Sequence, residues 1–202
     1  MSSQVWWYVA RSGGIVAWAL LAAGVVWGLI LSGKPFGRRT RPAWVLDLHR
    51  YLGGLGLVFT GIHVGALVLD SYTYFGPLQL LVPFTSSYRP GAVAWGVVAL
   101  YLLLAVELTS LLRSRLPKQL WRRVHGASFA LFAVSTLHGI QAGTDGSSPV
   151  LELTMVATAA VVAALTTYRV LQVLLPDEPA PSDRRIPPPA LHVVGVGGRR
   201  DG

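Results

Sequence analysis

Val45-Leu46-Asp47-Leu48-His49-Arg50-Tyr51-Leu52-Gly53-Gly54-Leu55-Gly56-Leu57-Val58-Phe59-Thr60-Gly61-Ile62-His63-Val64-Gly65-Ala66-Leu67-Val68-Leu69 is a nearly unbroken apolar run that carries two histidines. A helix needs roughly 20 mostly apolar residues to cross the hydrocarbon core, because backbone groups left unpaired in lipid are costly. This run meets that length, and Asp70 closes it. The rest of the chain agrees in character: of 202 residues, 52% are hydrophobic and only 13% charged, with a mean hydropathy of +0.52, too apolar for an ordinary soluble domain.

Outward from this stretch, four further runs read as spans. Gly13 to Leu31 precedes it and lacks both a basic terminal region and a cleavage signature, so it reads as a retained span and not a signal peptide. Ala92 to Leu112, Val124 to Ala142 and Val150 to Leu175 lie after it. The fold class expected is therefore all-α, an integral membrane bundle of about five transmembrane helices. Between the second and third spans, Ser71 to Pro90 mixes aromatics with prolines and suits an interfacial loop. Residues 1–12 form an N-terminal segment, 13–175 the transmembrane domain, and 176–202, rich in Pro, Gly and Arg, a disordered cytoplasmic tail.

The charge distribution orients the bundle. The net charge of +8 sits in short clusters between apolar runs, which reads as topology and gives no reason to expect nucleic acid. The loops after the first and third spans and the tail are basic, whereas those after the second and fourth contain only Arg89. The positive-inside rule then puts the N-terminus outside and the C-terminus inside a cell membrane, with Arg11 as mild contrary evidence. Absence of cysteine excludes disulfides, thiolate metal sites, iron–sulfur clusters and covalent c-type haem attachment.

Of five histidines, His49 and His63 lie on the second span, His125 and His138 on the fourth, and His192 in the tail. Imidazole in lipid needs a partner, a ligand or a cavity. The two histidine-bearing spans run parallel, so His49 and His125 share the inner level and His63 and His138 the outer. Fourteen residues correspond to roughly 21 Å of rise and return to within about 40° of the same face, which lets one helix present two ligands in line. The thirteen residues from His125 to His138 turn the second well off the first one's face in an ideal helix, so a bulge, tilt or other local irregularity is required there. Bis-imidazole ligation of two b-type haems accounts for all four, and such iron, without an open site, suits electron transfer. Interhelical hydrogen bonding without a cofactor, a proton path and a metal transporter are the competing uses. Glu107 is the only acid well inside a span, near the inner end of the third, which weighs against a proton path. Gly53, Gly54, Gly56, Gly61, Gly65, Gly126 and Gly139 leave room either for a macrocycle or for ordinary helix packing. Arg50, Arg122 and Arg123 could pair with haem propionates, or simply set topology.

Leu48-His49-Arg50-Tyr51-Leu52-Gly53, Gly61-Ile62-His63, Arg122-Arg123-Val124-His125 and Leu137-His138-Gly139 together resemble the ferric reductase-like transmembrane domain superfamily, over about Val45 to Leu175. That superfamily includes ferric reductases, the membrane part of NADPH oxidases and the haem-binding subunit of bacterial methionine sulfoxide reductase systems. The resemblance implies haem b, two of them, held by His49 with His125 and His63 with His138, and electrons carried to an external acceptor or partner protein. With no G-x-G-x-x-G unit in a βαβ setting and about 27 residues after the last span, the donor is expected to be a separate reductase carrying flavin, or the quinone pool. A chain that itself reduces ferric iron with quinol, and a non-redox metal transporter or scaffold, are the alternatives.

Overall fold

A computed structural model describes residues 3–32, 43–71, 75–143 and 148–175. These residues form seven helices: α1 Ser3–Ser32, α2 Ala43–Leu69, α3 Pro77–Leu81, α4 Pro90–Leu111, α5 Lys118–Gly126, α6 Ser128–Ala142 and α7 Pro149–Leu174. Among the described residues α1, α2, α4 and α7 are each long and apolar enough to cross a membrane. The basic segment 34–42 and the expected tail from 176, with His192, lie outside the described residues, as do 72–74 and 144–147.

The expected fourth span, Val124 to Ala142, is divided. The Ala127 amide donates to the Val124 carbonyl, a tightened three-residue turn, and the helix restarts at Ser128. Basic residues before the break (Lys118, Arg122, Arg123) make α5 amphipathic, whereas α6 is apolar. Its 15 residues rise only about 22 Å, short of the roughly 30 Å hydrocarbon core.

Helix α1 packs along α2, and α4 along α6, in two antiparallel pairs; α1 also meets α6, while α7 lies outside against α1 and α6. A buried cluster of Trp18, Ala22, Val25 and Leu29 from α1, Phe132 from α6, and Met155 and Val162 from α7 joins them. Within it Trp18 Nε1 donates to Thr136 Oγ1 at 2.9 Å. At one end Trp27 Nε1 donates to the Val45 carbonyl at 2.8 Å, tying the end of α1 to the start of α2. Outward faces carry exposed Val58, Ile62, Val68, Leu153, Val156 and Leu171, apolar surface that lipid, not water, accommodates.

The segment expected as an interfacial loop is folded back on the bundle. Phe75 packs with Val93 and Val97, α3 begins at a proline, and Tyr88 Oη donates to the Ala142 carbonyl at 3.3 Å.

Candidate functional site

A continuous cavity of about 1640 Å³ runs through the bundle between α2 and α6, with walls from α1 and α4. That exceeds the roughly 300–1,000 Å³ of an ordinary small-ligand pocket. The walls are mainly apolar, and all four membrane-depth histidines line them.

The histidines come together as two pairs. The His49 and His125 ring centres are 5.9 Å apart with planes at 78°, and those of His63 and His138 are 6.3 Å apart at 76°. The break at Ala127 lies between His125 and His138, and with it both rings reach the same cavity despite their thirteen-residue separation. Imidazole nitrogen binds first-row transition metals at about 2 Å, so rings about 6 Å apart centre to centre leave room for one metal bonded to each. Between the two levels, Leu21, Leu57, Ala99, Leu103 and Leu131 from α1, α2, α4 and α6 form an apolar layer.

Backbone carbonyls fix the orientation of one pair. His63 Nδ1–H donates to the Ala10 carbonyl at 2.5 Å and His138 Nδ1–H to the Ala92 carbonyl at 2.8 Å. A carbonyl only accepts, so Nδ1 carries the proton in both rings and Nε2 keeps its lone pair for a ligand. In the other pair, His125 Nδ1 lies 3.4 Å from Ser110 Oγ, and His49 lies beside the Gly24 backbone, although its buried Nδ1 makes no hydrogen bond of good geometry.

Cations gather at the His49/His125 end. Arg50, Arg122 and Arg123 are all exposed, but only Arg50 and Arg122 line the cavity. Arg50 also meets Asp47 at 3.3 Å, a solvated pair of little net worth. Two residues that sequence reasoning did not single out complete this end. The Arg113 guanidinium lies 4.5 Å from the Trp121 ring centre, and Trp121 stacks on His125 at 5.1 Å and 22°. The Trp121 Nε1–H is buried without a partner, a donor available to an acceptor group in the cavity. Glu107 lines the cavity too, pressed against Gly53, where a Cβ would stand 2.7 Å from its Oε1.

The glycines singled out on α2 do not touch the histidines. Gly54, Gly61 and Gly65 have nothing within 4 Å of a would-be Cβ, nor does Gly126, and Gly139 meets Met155. Gly14 and Gly28 on α1 and Gly96 on α4 are the ones that face imidazoles.

The family model for the ferric reductase like transmembrane component matches residues 13–136, well over half of the chain. The chain belongs to that family. The matched stretch holds three of the four cavity histidines and ends two residues before His138; it also takes in most of α1, ahead of the Val45 start that the sequence motifs suggest. No curated protein and no solved structure matches the chain. Membership makes this ferric reductase-like chain a membrane protein related to transmembrane electron-transfer components.

Proposed function

We propose that the protein is a membrane b-type cytochrome that carries electrons across the bilayer through two bis-histidine haems. The observation that carries this reading is the pair of facing imidazole couples, one at each level of a single apolar cavity. Each couple offers a metal only two nitrogens, and among the described residues no three His, Cys, Asp or Glu side chains gather to hold an ion. A metal seated there needs equatorial ligands of its own, which a porphyrin brings, whereas a transported ion would have to keep its waters in a mainly apolar cavity. Bound haem would supply one-electron redox chemistry at iron closed to further ligands.

In this assignment His49 and His125 hold the inner haem and His63 and His138 the outer. Arg50 and Arg122, with Arg113 and the unpartnered Trp121 N–H, suit the propionates of the inner group; Arg123, outside the cavity lining, fits that role less well. The expected topology places this end inside, so electrons enter at His49/His125 from a flavin-bearing reductase or quinol and leave past His63/His138 to an external acceptor. The test is the reduced-minus-oxidised visible spectrum and haem-to-protein ratio of the purified protein beside its His63→Ala and His138→Ala variants. Two haems falling to one in both variants is the expected result; protein purified without haem would remove the reading and favour a transporter or scaffold.

A further inference from the structure

In an α-helix the side chain at i+4 covers the carbonyl of residue i, because Cα–Cβ bonds tilt toward the N-terminus. A residue without a side chain at i+4 uncovers that carbonyl, whose second lone pair can then accept from outside the helix. The walls of the cavity repeat this arrangement. The Ala10 carbonyl holds His63, and four residues on, a Cβ at Gly14 would stand 2.9 Å from His63 Nδ1. The Ala92 carbonyl holds His138, and four residues on, a Cβ at Gly96 would stand 2.7 Å from His138 Cε1. At His49 the arrangement is looser: the Gly24 backbone lies beside the ring without a hydrogen bond of good geometry to Nδ1, and four residues on, a Cβ at Gly28 would stand 3.3 Å from His49 Cε1.

These seats share a period with the ligands. Gly14 and Gly28 are fourteen residues apart on α1, as are His49 and His63 on the antiparallel α2. Fourteen residues beyond Gly96 on α4 comes Ser110, whose hydroxyl is the group next to His125 Nδ1, at 3.4 Å. The fourth seat therefore has a hydroxyl where the others have open space, and His125 faces a weaker acceptor than a carbonyl.

We propose that α1 and α4 are imidazole-seating helices, with Gly14, Gly28, Gly96 and Ser110 as positioning residues for the four haem ligands, and that Ser110 makes the His49/His125 haem electronically distinct. The proposal rests on the two-haem reading. An acceptor at Nδ1 raises the basicity of the ligating nitrogen and favours ferric iron, so loss of the Ser110 hydroxyl raises the potential of one haem alone.

The experiment is haem quantitation and a spectroscopic redox titration on the purified full-length protein. Gly14→Ala and Gly96→Ala are expected to lose the His63/His138 haem, halving the haem-to-protein ratio, whereas Gly61→Ala and Gly65→Ala, outside the cavity lining, keep both. Ser110→Ala, which removes a single oxygen and leaves the fold intact, is expected to keep both haems and shift one potential upward. Wild-type protein without haem overturns the functional reading and the seats with it. Two haems in the wild type, with content and both potentials unmoved in Gly14→Ala, Gly96→Ala and Ser110→Ala, overturns the seats alone.

Discussion

The near-perpendicular rings of each histidine pair, at 78° and 76°, carry an electronic consequence for iron bound between them. An imidazole donates π density into the metal d orbital normal to its ring plane. Parallel rings raise one orbital of the pair, whereas perpendicular rings raise both and leave them nearly degenerate, with a large orbital contribution to magnetism. The ferric protein is expected to give a strongly anisotropic low-spin electron paramagnetic resonance signal at both haems; a rhombic signal of ordinary spread would show that the rings turn on binding. A second residue-scale expectation concerns Trp18. Trp18→Phe removes the buried bond to Thr136, but Thr136 Oγ1 keeps its bond to the Phe132 carbonyl at 2.7 Å, so the Thr136 hydroxyl is not orphaned. Side-chain bonds between membrane helices average about 0.6 kcal/mol, and with the smaller ring the cost is about 1–2 kcal/mol, read as a modest fall in thermal stability in detergent with haem content kept. The four histidines are legible in the sequence because a polar ring in an apolar run is conspicuous. Their seats are not, because the groups that hold His63 and His138 are carbonyls that every residue has. The only written trace is the spacing of Gly14 with Gly28 and of Gly96 with Ser110, matched to that of the ligands.

At the scale of elements, the turn at Ala127 has the largest effect on the site. The thirteen-residue separation of His125 and His138 shows that a regular helix would not serve; no proline marks where it gives way, only Gly126 and Ser128 on either side of Ala127. The junction reflects a difference in solvent preference, with cationic α5 seeking the surface and apolar α6 the bundle. Each added helical residue turns the downstream part of a helix by about 100°. Inserting one alanine after Ala127 is therefore expected to swing His138 away from His63 and lose that haem, while His125 and its haem stay; retention of both would show that the junction absorbs the change. The far end of α6 is held by Arg89, whose guanidinium donates to the Gln141 carbonyl at 2.7 Å and the Gly143 carbonyl at 3.3 Å. Arg89 adopts a left-handed backbone at φ 39°, a conformation unfavourable for a residue with a Cβ, and these cap bonds offset that strain. Arg89→Gly relaxes the backbone but releases α6, so its expected signature is an outer haem lost more readily on heating than the inner one.

For the whole molecule, an apolar composition together with runs long enough to cross the hydrocarbon core is enough to read a membrane helical bundle. Orientation rests on charge placement and is open to direct measurement. The chain has no cysteine, so single cysteines report without background. In sealed inverted and right-side-out vesicles, Ser114→Cys, on the exposed turn after α4, is expected to react with an impermeant maleimide from the cytoplasmic side. Ser87→Cys, exposed before α4, is expected to react from the opposite side; the reverse pattern would invert the path assigned to the electrons.

Each antiparallel helix pair seats its own histidines: α1 supports His63 and His49 of α2, and α4 contacts His138 of α6 and His125 of α5. During synthesis the first hairpin can thus orient both of its rings before any of the second has left the ribosome. The two halves then meet through the packing of α1 against α6 and α7, and haems held as proposed would rivet them together. Supplied as separate polypeptides divided between Asp70 and Pro77, they would be expected to find each other through haem.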